Sequence, residues 1–120
     1  MRRDLERLAD ILEAIQHIER YACRGRSAFE TDELLQTWMV HHLQVVGEAA
    51  AQLSSEFRER HPEVPWREVT AMRNLLVHAY FRVHLDEVWI AVERDIPQLK
   101  AQVQALLGTS EEPDQPPSAS

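Results

Sequence analysis

A single cysteine, Cys23, occurs in the 120 residues. That excludes an internal disulfide and a cysteine-based zinc cluster within one chain, and Cys23 reads as a small, largely apolar residue near a helix end. Glycine is scarce, with three in all. None falls in a glycine-rich phosphate loop, so the chain is not expected to bind ATP as an enzyme. No apolar run approaches the roughly 18–20 residues that span a bilayer. The N-terminal MRRDLERLAD is charged and amphipathic rather than an unbroken apolar signal, and the expectation is a cytoplasmic protein without membrane association. No two histidines lie four apart and no His-Glu-x-x-His occurs, so no metal and no cofactor are expected. His41 and His42 are adjacent and should project to different sides of a helix. Strand-like alternation of any length is also missing, which leaves helices.

What is present is the balance of a soluble globular domain: 44% hydrophobic and 28% charged residues. The net charge of −7 argues against coating a nucleic-acid duplex. The charge is uneven, however. From Arg58 to His84 there are five arginines against three glutamates, a local +2 that leaves −9 for the remainder. A patch of that kind can hold a few phosphates.

The length suits one domain. Residues 1–107 read as a bundle of helices, and residues 108–120, GTSEEPDQPPSAS, with three Pro, several small polar residues and three acids, as a disordered acidic Pro/Ser tail. Leu5, Leu8, Leu12, Ile15 and Ile18 recur at helical steps, with Ile11 widening the stripe, and Gly25 supplies the stop. Thr31 followed by Asp32 and Glu33 reads as the cap of a second helix, with Ser27 and Glu30 as a competing capping box. That helix carries Leu35, Trp38, Met39, Val46 and Leu53 on its apolar side. Gly47 inside it costs about 1 kcal/mol relative to Ala and points to close approach by another helix. SSEFRERHPEVPW is a break with a short capped turn. Pro65 opens a third helix through WREVTAMRNLLVHAY. A fourth runs from Val88 to Leu106, with Pro97 expected to kink it. Four helices with short connections imply an all-α antiparallel bundle.

The third helix carries the chemistry-bearing cluster, RNLLVHAY at residues 73–80. The bare spacing Arg-x4-His arises about 0.6 times by chance in this composition. Requiring a Tyr two residues after the His lowers the expectation to about 0.01. The chain's only asparagine, Asn74, follows that arginine directly.

In VVGEAAAQLS (45–54), VPW (64–66), MRNLLVHAY (72–80) and DEVWIAVERDIPQL (86–99), in that order, the chain resembles the minimal HEPN domains, specifically the HepT-type toxins of toxin–antitoxin pairs. The likeness covers about residues 4 to 107. It implies a homodimeric four-helix protein in which two copies of the motif form a metal-independent ribonuclease site. It also implies a partner, an MntA-like nucleotidyltransferase antitoxin that silences the toxin by attaching AMP to the motif tyrosine, here Tyr80. A larger hetero-oligomer with that antitoxin is a further implication.

The residue chemistry agrees with RNA as substrate. Cleavage through the 2′-hydroxyl needs a base, an acid and a cation at the phosphate. His78 can serve as acid or base near neutral pH. Arg73 can bind phosphate through two parallel hydrogen bonds, and Asn74 can orient the scissile group or brace His78. One chain supplies one such histidine, and a two-fold dimer supplies the second. On a straight α-helix, though, Arg73 and His78 stand about 140° and 7.5 Å apart. A bend, a long arginine reach or the twin subunit must close that gap. Tyr80 reads either as the modified residue or as an amphipathic core-edge residue. Glu48 either pairs with Arg73 across helices or is a solvated helix-face charge. His42 reads as a hydrogen-bonded core histidine. His61 and His84 read as loop residues flanking the site helix, with RNA contact as the alternative. The three tryptophans fit core or dimer packing better than base stacking. A reading from another class is a non-catalytic helical adaptor that regulates a nucleotidyltransferase.

Overall fold

The apolar stripe of the N-terminal segment folds as expected into helix α1, Arg2–Ala22, burying Leu8, Ile11, Ile15 and Ile18. The computed structural model describes residues 2–76 and 84–111. Gly25, at φ +90°, reverses the chain after α1, a backbone state that costs other L-residues about 1–2 kcal/mol. The chain then departs from the expected plan. Residues Gly25–Thr31 form their own short helix, α2. Ser27 therefore lies inside a helix rather than capping one, and the Thr31 hydroxyl donates back to Ser27 O at 3.1 Å. The cap of the next helix is Asp32, whose carboxylate accepts from the Leu34 and Leu35 amides at 2.9 and 3.4 Å. The Asp32 carboxylate satisfies two orphan N–H groups, while the Thr31 hydroxyl is turned back to Ser27 O.

Helix α3, Glu33–Ala51, is the central element. It runs antiparallel to α1. Arg7 Nη1 donates to Gln52 Oε1 at 2.8 Å at one end, and Trp38 Nε1 donates to His17 O at 2.7 Å toward the other. Met39, Val40, Leu43, Val46 and Ala50 are fully enclosed. A short helix α4, Ser55–Arg60, follows, capped by the Ser54 hydroxyl, which accepts from Phe57 N at 3.1 Å. Its N-terminus is tied to α1 by Asp4, whose carboxylate accepts from Ser54 N at 2.8 Å and Ser54 Oγ at 2.9 Å. Helix α5, Trp66–Ala71, begins directly after Pro65, as the proline's fixed φ favours.

The C-terminal helix expected from Val88 to Leu106 comprises α6, Leu85–Ile90, a π-helical turn, Ala91–Asp95, and α7, Ile96–Glu111. Pro97 has no N–H for the i−4 bond, and its ring crowds the carbonyl one turn back. The backbone answers with the wider turn just before it, in which Ile96 N–H donates to Ala91 O. Val88, Val92, Ile96, Leu99 and Val103 all face inward. The α6 end is held to α2 by a salt bridge between Arg26 and Asp86. α7 continues past residue 107 to Glu111, and the remainder of the expected tail lies outside the described residues. The fold is thus an all-α bundle in which, among the described residues, two short helices, α2 and α4, are added to the four expected. No helix among the described residues is long and apolar enough to cross a membrane.

Candidate functional site

The site helix does not continue as a regular α-helix. After Ala71 the chain tightens into a 3₁₀ segment, Met72–Leu76, which carries Arg73 and Asn74. Over Met72–Leu76 three residues per turn replace 3.6. His78 and Tyr80 fall in the stretch 77–83, outside the described residues.

The 3₁₀ segment lies against α3 at one glycine. A methyl group built on Gly47 would overlap the Arg73 backbone nitrogen and sit 3.0 Å from both Arg73 Cβ and Thr70 O. The helix-propensity cost of Gly47 therefore has the reason expected of it, a close approach. The next residue, Glu48, completes the arrangement, with its Oε1 3.5 Å from Arg73 Nη1. The expected pairing across helices is present. Both side chains are largely exposed, 45% for Arg73 and 58% for Glu48. A pair so placed contributes between about 0 and 1 kcal/mol. It holds the guanidinium beside Glu48 while leaving it open to solvent. Asn74 is exposed beside Arg73, and its side chain makes no hydrogen bond among the described residues.

Arg60 on α4, Arg67 on α5 and Arg73 on the 3₁₀ segment are all exposed, which gives the local basic excess a place on successive elements. The flanking histidines have structural partners. His61 lies at the end of α4 with its ring 4.5 Å from that of Phe57. Its carbonyl accepts from Trp66 Nε1 at 2.9 Å. His84 precedes α6, with Nδ1 3.5 Å from Glu87.

Glu48 also lines a groove between α1 and α3, together with Glu13, His17, Val45 and His42. Here two expectations are corrected. His42 is half-buried and makes no hydrogen bond among the described residues. It is held instead by rings: stacked on His17 at 4.6 Å and 20°, tilted against Trp38 at 4.5 Å. His41 and His42, expected on different sides of the helix, meet edge-on at 4.8 Å, because long side chains at adjacent positions can swing toward a shared neighbour. Burial first, then the neighbouring His17 and His41, lowers the His42 pKa to about 4. No group of three or more His, Cys, Asp or Glu among the described residues is arranged to hold a metal ion. His17 was not singled out by any sequence pattern. Its partner lies on another helix 25 positions away, and only the antiparallel packing of α1 on α3 joins them. Trp66 and Trp89 are buried in the core, as expected, and Trp38 is partly so.

Comparison with known proteins matches residues 11–106 to the family described as "Ribonuclease HepT-like". The chain is 37% identical over 102 residues to a protein of Thermococcus cleftensis named "Probable ribonuclease HepT", covering 85% of this chain and 91% of that one. It is 39% identical over 90 residues to a candidate RNase of Caldanaerobacter subterraneus, covering 75% and 80%. It is 30% identical over 102 residues to a candidate RNase of Methanocaldococcus jannaschii, covering 85% and 88%. No solved structure matches the chain. With the match spanning most of the bundle, including α3 and the 3₁₀ segment, this chain belongs to the HepT-like ribonuclease family.

Proposed function

We propose that this protein is a metal-independent endoribonuclease acting in the cytoplasm as the toxin of a toxin–antitoxin pair. The observation that carries the reading is an exposed arginine, Arg73, within Arg-x4-His-x-Tyr, seated against α3 and tethered by Glu48. In this mechanism a base removes the ribose 2′-hydroxyl proton and the 2′-oxygen attacks phosphorus. The 5′-oxygen leaves with a proton from an acid, and a cyclic phosphate remains. Arg73 neutralises the charge that builds on the phosphate, Asn74 orients it, and His78 moves protons. Base and acid are two groups, and a second copy of the chain related by a two-fold axis supplies the other His78.

Silencing acts through Tyr80. A nucleotidyltransferase partner of the MntA type attaches AMP to its phenol, and the added phosphate competes for Arg73 while the nucleoside obstructs RNA.

The test is cleavage of single-stranded and structured RNA in EDTA by wild type, Arg73→Ala and His78→Ala. Wild type should cut and both variants should fail. Equal inertness of all three, with no mass added to Tyr80 by partner and ATP, would instead establish a non-catalytic adaptor. Modification should appear as steps of about 329 Da per AMP, absent in Tyr80→Phe.

A further inference from the structure

Arg73 is exposed, and Glu48, its ion-pair partner among the described residues, is exposed too. A surface ion pair of that kind is too weak to fix a phosphate clamp. The backbone must do most of the positioning, and of the three glycines only Gly47 meets a neighbouring backbone with no room for a side chain. We infer that Gly47 is a positioning residue for Arg73: its missing side chain sets how deeply the 3₁₀ segment seats on α3, and hence where the guanidinium starts from. This rests on the ribonuclease reading and extends it to a residue that touches no substrate.

The geometry is specific. The atoms that an added methyl would meet are the Arg73 amide nitrogen, Arg73 Cβ and Thr70 O. Two of the three are backbone, so no rotamer change relieves the overlap, and the 3₁₀ segment itself must move. Because Gly47 and Glu48 are consecutive on α3, one dipeptide sets both the height of the Arg73 backbone and the direction of its side chain. The other two glycines differ, since a methyl on Gly25 or Gly108 meets nothing within 4 Å. Displacing a catalytic cation by about 1 Å costs on the order of 100-fold in rate.

The experiment uses the full chain with Gly47→Ala and, as a packing control, Val46→Ala. Val46 is fully buried on the same helix. With RNA in EDTA, Gly47→Ala should lower kcat about 10- to 100-fold while KM stays within about threefold. Val46→Ala should lose stability yet keep kcat per folded molecule within about threefold. Where the folded fraction of Gly47→Ala falls, trimethylamine N-oxide restores it, and kcat is normalised to folded protein. A second readout is independent of activity. The Arg73 guanidinium resonance in a nitrogen-15 spectrum, assigned by Arg73→Lys, should shift on Glu48→Gln in the native background and fail to respond when Gly47→Ala is also present. Retained kcat in Gly47→Ala, an equal kcat loss in Val46→Ala, or an unchanged Arg73–Glu48 response would each overturn the inference. If wild type does not cleave RNA but the resonance behaves as stated, the ribonuclease reading fails while the positioning by Gly47 stands.

Discussion

His17 and His42 stack at 4.6 Å with their rings nearly parallel, joining α1 to α3 through two imidazoles that the fold keeps close together. Burial and the neighbouring histidines lower the His42 pKa from its ordinary 6.5 to about 4. In the unfolded chain His42 titrates near about 6.5, so between those values the unfolded state binds a proton that the folded state resists. Stability from this group is complete above about pH 6.5, falls as pH drops toward 4, and falls no further below that. Thermal unfolding followed across pH 7.5 to 4 should show this decline. His42→Phe, which keeps a ring and removes the proton site, should flatten it; an unchanged pH dependence in that variant would refute the assignment.

Asp4 is only 5% exposed and accepts two hydrogen bonds from Ser54. Truncation strands the Ser54 amide and removes the tie that holds α4 against α1. Asp4→Ala should cost about 2–3 kcal/mol, with Asp4→Asn costing less because one acceptor oxygen remains. Urea denaturation reads the difference.

The glycines away from the site should divide by backbone conformation. Gly25→Ala forces a methyl-bearing residue into φ +90° and should destabilise by about 1–2 kcal/mol although space is open there. Gly108→Ala, in α7 with nothing nearby, should stabilise by about 0.5 kcal/mol through helix propensity. Equal effects of the two substitutions would contradict the role given to Gly25.

Glu48→Gln removes the charge that holds Arg73 and almost nothing else. Stability should change by less than about 0.5 kcal/mol, whereas kcat on RNA should fall by about three- to tenfold. KM should not rise, because a carboxylate that repels phosphate has gone. A rise in KM with unchanged kcat would mean that Glu48 contributes to RNA binding rather than to the orientation of Arg73.

Much of the site was readable in the linear chain. Arg73 and Asn74 stood out by spacing and rarity, whereas Glu48 read equally as a partner of Arg73 or as a solvated charge, and only packing decided for the pair. The tightening after Ala71 was not readable, because MRNLL suits α and 3₁₀ backbones alike. Thr31 lost the cap to Asp32 for a similar reason. Both residue types cap well, and the choice depends on a short helix, α2, that starts at Gly25 and was not foreseen. Pro97 announced a disturbance, and its form, a π turn at Ala91–Asp95, emerged only from packing.

Composition and periodicity by themselves determined an all-helical chain, its buried faces and the identity of the polar cluster, because each depends on residues within a few positions of one another. Tertiary structure alone decided where Arg73 sits, how Glu48 reaches it and that His17 meets His42. Those relationships join positions some 25 residues apart, and they exist only where two helices approach closely enough for one absent methyl group to matter.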